Sequence, residues 1–181
     1  MINRRKSIEL MAGVGGTLCI PSILVTNSTN KGWLSEFAER WDISALYTNE
    51  VLAKMPDEDF LYQPAPEVMS FGKQLSHLGW GNAIYTGAII GEDPIKEPAE
   101  LRRQSVQAYL DLTSKGIKNL IMSIDEKLLF TNNHGSKGRA PWNDFTVSDL
   151  LLIAYHHTAH HRAQAIVYLR MKGIVPPKYR F

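Results

Sequence analysis

The 181-residue sequence predicts an all-α fold, a four-helix bundle preceded by an N-terminal export leader. Three observations carry this reading. Four segments of about 20 to 27 residues repeat apolar side chains at three- and four-residue spacing. No segment shows the alternation of a half-buried strand. The links between them read as short and are marked by proline, glycine and asparagine. The composition, 44% hydrophobic and 21% charged, is that of a soluble globular protein. A body of about 150 residues buries roughly two-thirds of its extended surface, so no disulfide or structural metal is needed to make a core.

The leader comes first, over residues 1–30. Asn3-Arg4-Arg5-Lys6-Ser7 is basic and leads into Met11-Ala12-Gly13-Val14-Gly15-Gly16, a glycine-diluted apolar stretch. That is the layout of an export signal, and the adjacent arginines resemble the twin-arginine type. Leu10 to Val25 includes Pro21 and is shorter than the roughly 20 apolar residues of a membrane span, so no stable span is expected in the mature protein. The reading places the protein outside the cytoplasm, in the periplasm or beyond.

The body, residues 31–181, is read as one domain. In the first helix Leu34, Phe37, Trp41, Ala45 and Leu52 recur at helical spacing until Met55-Pro56-Asp57 stops the pattern. A proline-containing link leads to the second helix, for which Ser70 is the expected N-cap and Gly91 the end. Val106, Leu110, Thr113, Ile117, Leu120 and Ile124 mark the third, with Gly116 as a soft spot inside it. Residues 125–145 are turn-rich and read as a long loop suited to substrate contacts. Thr146-Val147-Ser148-Asp149 matches a capping box and opens the fourth helix, which runs to about Met171 before Gly173 and Pro176-Pro177.

Charge and cysteine content narrow the function classes. The net charge is +2, and Arg4, Arg5 and Lys6 against Glu9 account for all of it, leaving the body with 17 basic and 17 acidic residues. A neutral body lacks the field of a nucleic-acid binder. Cys19 is the only cysteine, which excludes an intrachain disulfide framework and multi-cysteine metal sites, so metal chemistry must use nitrogen and oxygen donors.

Five of the six histidines lie beyond residue 130, and four of these sit in Tyr155-His156-His157-Thr158-Ala159-His160-His161 within the fourth helix. Residues four apart share a helix face, so His156/His160 and His157/His161 are both possible chelating pairs. His157 and His161 fall in the sector of Leu150, Ala154 and Tyr168, which faces the bundle, whereas His156 and His160 rotate to its edge. A catalytic zinc generally takes three protein ligands and keeps a position open. His77, mid-helix in the second segment, supplies the third donor, since bundles build metal sites from inward side chains of facing helices. The metal set is therefore His77, His157 and His161. On the same helix Gln164 lies near the ligand face and is a candidate to orient a ligand, Arg162 points away toward an ion pair or an interface, and Leu152, Tyr155, Ala159 and Ile166 form a second apolar stripe suited to the loop or a dimer surface. Trp80 and Trp142 are candidates to line a substrate entrance.

Gln74-x-x-His77-Leu78, His157-x-x-x-His161-Arg162-x-Gln164 and Leu169-Arg170-x-x-Gly173-Ile174-x-Pro176-Pro177 together resemble the DinB/YfiT-like superfamily over roughly residues 31 to 178. That family usually has glycine where this chain has Ala163. The resemblance implies a four-helix bundle whose three histidines bind a divalent metal, commonly zinc or nickel, and which frequently forms homodimers. It also implies thiol-dependent transferase or isomerase chemistry for some members. Neither His-Glu-x-x-His nor Gly-x-Ser-x-Gly is present, which disfavours zincin and serine-hydrolase chemistry. The expected function is a metal-dependent transferase or hydrolase acting on a small molecule, with a thiol or water as nucleophile. The alternative is a non-enzymatic extracytoplasmic bundle that holds a metal or small ligand.

Overall fold

A computed structural model of the protein describes residues 32–132 and 142–180. The expected leader, and His134, lie outside them. Four long helices form: α1 (Trp33–Lys54), α2 (Phe71–Ile90), α3 (Arg103–Ser123) and α4 (Val147–Met171). Single 3₁₀ turns at Asp57–Asp59, Glu126–Leu128 and Trp142–Asp144 break up the links. No strand occurs among the described residues, only an isolated antiparallel bridge between Asn132 and Thr146. None of the described helices is long and apolar enough to cross a membrane.

The helix ends form where the local chemistry places them. The Ser70 hydroxyl accepts from the Lys73 amide and starts α2. Gly91, at φ 80°, closes it in the left-handed conformation that costs glycine nothing. Thr146 and Asp149 make the reciprocal capping box of α4, each side chain accepting from the other's backbone amide. The end of α1 is capped from a distance. Arg103, the first residue of α3, donates to the carbonyls of Leu52 and Met55, satisfying groups that the last turn of a helix leaves without intrahelical partners.

Two apolar clusters fill the bundle, one toward each end. Val51, Leu52, Leu75, Leu78, Val106, Leu110, Ala165 and Leu169 are buried together. They bring the C-terminal halves of α1 and α4 against the N-terminal halves of α2 and α3. At the other end Phe37, Trp41, Ile117, Ile121, Leu151 and Ala154 are buried together, with Tyr85 and Ile89 packed against them. Helices α2 and α3 therefore run parallel, and residues 91–102 return along the length of the bundle. Tyr109 donates to the Ile95 carbonyl at 2.8 Å, and Lys73 pairs with Glu97, which ties this return segment down. The links are thus longer than their prolines and glycines suggested. Each of α1 and α2 packs against both α3 and α4, so α1 and α2, successive in sequence, are not close neighbours.

Two expectations for α4 need correction. Tyr155 and Ile166 do not leave the core; they pack against the two clusters, and Tyr155 meets the rings of Phe37 and Trp41 at 5.8 and 6.4 Å. Arg162, expected at an ion pair or an interface, does point away from the histidines but is buried against α1. Its guanidinium donates to the Ser44 carbonyl and hydroxyl and to the Thr48 hydroxyl on α1, and lies over the Tyr47 ring at 4.9 Å. Neutral oxygens and an aromatic face hold this cation.

Gly116 is the soft spot that its position in α3 suggested, since a Cβ placed there meets nothing within 4 Å. The variant Gly116→Ala should stabilise the protein by about 0.5–1 kcal/mol, the helix-propensity difference with no steric offset. Denaturant melts read this directly, and unchanged or lower stability would contradict it.

Candidate metal centre

His77 projects from the middle of α2, and His157 and His161 project from one face of α4, which packs against it. The four-residue spacing puts the α4 pair one turn apart, with ring centroids 4.4 Å from each other. His77 lies 5.3 Å from His157 and 4.7 Å from His161, centroid to centroid. One nitrogen from each of the three rings falls within 4.8 Å of the others. Two bonds of about 2.0–2.1 Å to one ion span roughly 3.4 Å at tetrahedral angles, so small rotations of the three rings bring the donor set onto a divalent metal. Among the described residues no carboxylate, cysteine or further histidine joins the group.

A second observation supports the fit. Nδ1 of His157 is buried and has no hydrogen-bond partner among the described residues. A nitrogen shut off from water ordinarily finds a partner, and a cation is one such partner.

The protonation states are those a metal site needs. Burial, reinforced by the neighbouring His77 and His160 rings, drives His157 down to about 4. His161 is driven down to about 3, by burial first and then by His157, His77 and His160. His77 is also lowered, chiefly by burial, with Glu97 on the return segment pulling the other way and Lys73 adding to the fall. All three rings are neutral at pH 7, and each keeps a lone pair for a ligand.

The surroundings are aromatic on one side and amide-rich on the other. Trp80 stacks on His77 with centroids 5.1 Å apart and is 38% exposed. Tyr85 meets His157 edge-on at 5.8 Å, and Trp142 packs on Tyr85 at 5.3 Å. Both tryptophans singled out in the sequence therefore border the cluster, Trp80 directly and Trp142 through Tyr85. On the other side His161 Nδ1 bonds Gln74 Oε1 at 2.6 Å, and Gln74 Nε2 reaches the Gln164 and Tyr168 oxygens. Among the described residues Gln164 makes its hydrogen bonds to Gln74 and His160 and not to the three histidines. His156 and His160 are exposed, on the outer side of α4.

Two contributors were given no role from the sequence, although Gln74 stands in the motif around His77. Gln74 stands three residues before His77 on α2, a spacing that shares a face, and this alone could have flagged it. Gly81 stands four residues after His77, and a Cβ there would overlap His157 Cε1 and Nδ1. The His157 ring thus lies against bare α2 backbone. The variant Gly81→Ala should displace this ring and weaken metal binding by at least tenfold while the helix itself gains propensity. Metal titration against a chelator is the measurement, and wild-type affinity would show that the ring has room to spare.

Comparison with known proteins places the fold. The chain is similar to a DinB-like protein of Bacillus subtilis, YjoA, with a TM-score of 0.65 at 19% identity, over 80% of this chain and 96% of that one. A DinB-like protein of Bacillus cereus ATCC 10987 gives a TM-score of 0.64 at 21% identity, over 80% and 95% of the two chains. A conserved protein of Enterococcus faecalis gives 0.61 at 18%, over 76% and 95%. These likenesses show a shared fold. No curated protein matches the sequence. The family model of the DinB superfamily matches residues 40–165, well over half the chain and a span that includes all three histidines, and the protein belongs to that superfamily.

Proposed function

We propose that the protein is a metal-dependent transferase or hydrolase that uses a thiol or water as nucleophile at the His77, His157 and His161 site. The observation that carries this reading is the convergence of three neutral imidazoles with no further histidine, cysteine or carboxylate beside them among the described residues. Three nitrogen ligands leave room in the coordination shell for a small molecule. A divalent ion such as zinc or nickel, when bound, supplies Lewis acidity that lowers the pKa of a thiol or water and polarises an electrophile.

The chain's own residues do the rest. His77, His157 and His161 hold the ion as neutral donors. Gln74 bonds Nδ1 of His161 and leaves the ring's other nitrogen for the ion. Trp80 and Tyr85 cover the His77 and His157 rings, which limits water there and offers an apolar face to the substrate. Arg162, buried against α1, positions the part of α4 that carries His161.

The reading extends to an exported homodimer. Support for export is the residues Arg4 and Arg5 with the glycine-rich stretch after them. Support for self-association is the exposed Leu152, Val167 and Met171 on the outer side of α4.

Elemental analysis of protein purified without chelator tests the site, and a panel of thiol acceptors and esters assayed with and without chelator tests the chemistry. Stoichiometric metal with chelator-sensitive turnover is the expected result. Stoichiometric metal with no turnover on any of them would favour a non-enzymatic bundle that binds metal or a small ligand.

A further inference from the structure

We propose that Gln74 is a positioning residue that decides which nitrogen of His161 carries the ring proton, and that Gln164 and Tyr168 hold Gln74 in the orientation that does so. Gln74 is 2% exposed and contributes its whole amide to this task. Its Nε2 donates to Gln164 Oε1 at 2.5 Å and faces Tyr168 Oη at 3.3 Å. With the donor end engaged by two oxygens, the acceptor end, Oε1, faces His161 Nδ1 at 2.6 Å. An acceptor at that distance requires the proton on Nδ1, because an amide oxygen against an imidazole lone pair is repulsive. The lone pair of His161 then falls on Nε2, the nitrogen left for the histidine cluster.

The two amides can turn only together. Turning it over sets its NH₂ against His161 Nδ1 and its oxygen against Gln164 Oε1, so Gln164 has to turn with it. Gln164 Nε2 faces His160 Nε2 at 2.6 Å, and since that ring nitrogen can accept or donate, hydrogen bonding serves either direction. The lone pair that a metal needs on His161 Nε2 selects the one with Gln74 Oε1 toward His161 Nδ1. The two amides form a single directional chain running from His161 to the surface at His160. A neutral imidazole in water prefers its proton on Nε2, so the chain works against the ring's intrinsic preference and prepares His161 before a metal arrives. The direction of the chain and its consequence for metal rest on the proposed site, whereas the coupling of the two amides to His161 does not.

The test uses long-range ¹H–¹⁵N spectra of the imidazoles in the metal-free full chain, together with zinc competition against a chromophoric chelator. His161 should show the Nδ1–H form in the wild type and in Gln74→Glu, whose carboxylate keeps an acceptor in place, and should revert to Nε2–H in Gln74→Leu. Zinc affinity should fall about 10- to 100-fold in Gln74→Leu, the usual effect of losing an outer-shell partner, and be retained in Gln74→Glu. Gln164→Leu, which leaves Gln74 in place, should give a partial shift of tautomer and serves if Gln74→Leu does not fold. Nε2–H in the wild type, or equal zinc losses in the Glu and Leu variants, overturns the proposal. A wild type that binds no zinc yet shows a Gln74-dependent tautomer overturns the metal reading alone.

Discussion

His77→Ala should lose metal binding and yet remain a folded bundle. Two imidazoles one turn apart on α4 would remain, and an ion held by two ligands lacks the shell that a catalytic site requires. The loss should exceed the roughly 10- to 100-fold typical of outer-shell changes, because a bond to the ion itself is removed. Folding is independent of it. The buried clusters around Leu75 and Leu78 at one end and Phe37 and Trp41 at the other contain none of the three histidines. Zinc stoichiometry by elemental analysis and a thermal melt by circular dichroism read the two halves of the expectation. An alanine variant that keeps stoichiometric metal sinks the assignment of His77, and one that unfolds together with metal loss makes the metal a structural pin.

The metal-free protein should lose stability as pH falls from 7 to 5, and bound metal should protect it. The sign follows from the direction of the shifts. His157 and His161 sit at about 4 and about 3 in the folded chain, below the ordinary histidine value that the unfolded chain regains. Between those values the unfolded state binds more protons, so stability is fully present above about 6.5 and is lost as pH falls toward the folded values. The limiting slope is about 1.4 kcal/mol per pH unit for each ring. His157, only half-buried, contributes less than that limit because solvent screens it. With metal bound, protons must displace the ion first, so the melting temperature of the loaded protein should hold to lower pH. Equal and flat melting curves for both forms from pH 7 to 5 would show that the rings are not held neutral by the fold.

Much of this architecture is legible from neighbours in the chain. The ends of α2 and α4 are written in Ser70, Gly91, Thr146 and Asp149, because a cap is a bond between residues three or four apart. The pairing of His157 with His161 is legible for the same reason, since the helix repeat sets which side chains share a face. Choosing that pair over His156 and His160 needed only the apolar residues around it. His77 took a further step, the rule that facing helices build such sites, and the geometry brings it to the pair.

What local sequence left open depends on which helix lies opposite. The parallel course of α2 and α3 is one case, because a return segment such as 91–102 carries no mark of how far it travels. Arg103 capping α1, Arg162 seated on Ser44 and Thr48, and Tyr155 packed on Phe37 are others. An arginine reads as a surface charge until another helix supplies oxygens at the right place. Gln74 is the most consequential of these. Its role exists only because Gln164, Tyr168 and His161 approach it from α4, about ninety residues away in sequence. Periodicity and capping are properties of one helix at a time, whereas the hydrogen-bond partners of a buried polar group are set by packing between helices, and only the assembled bundle decides them.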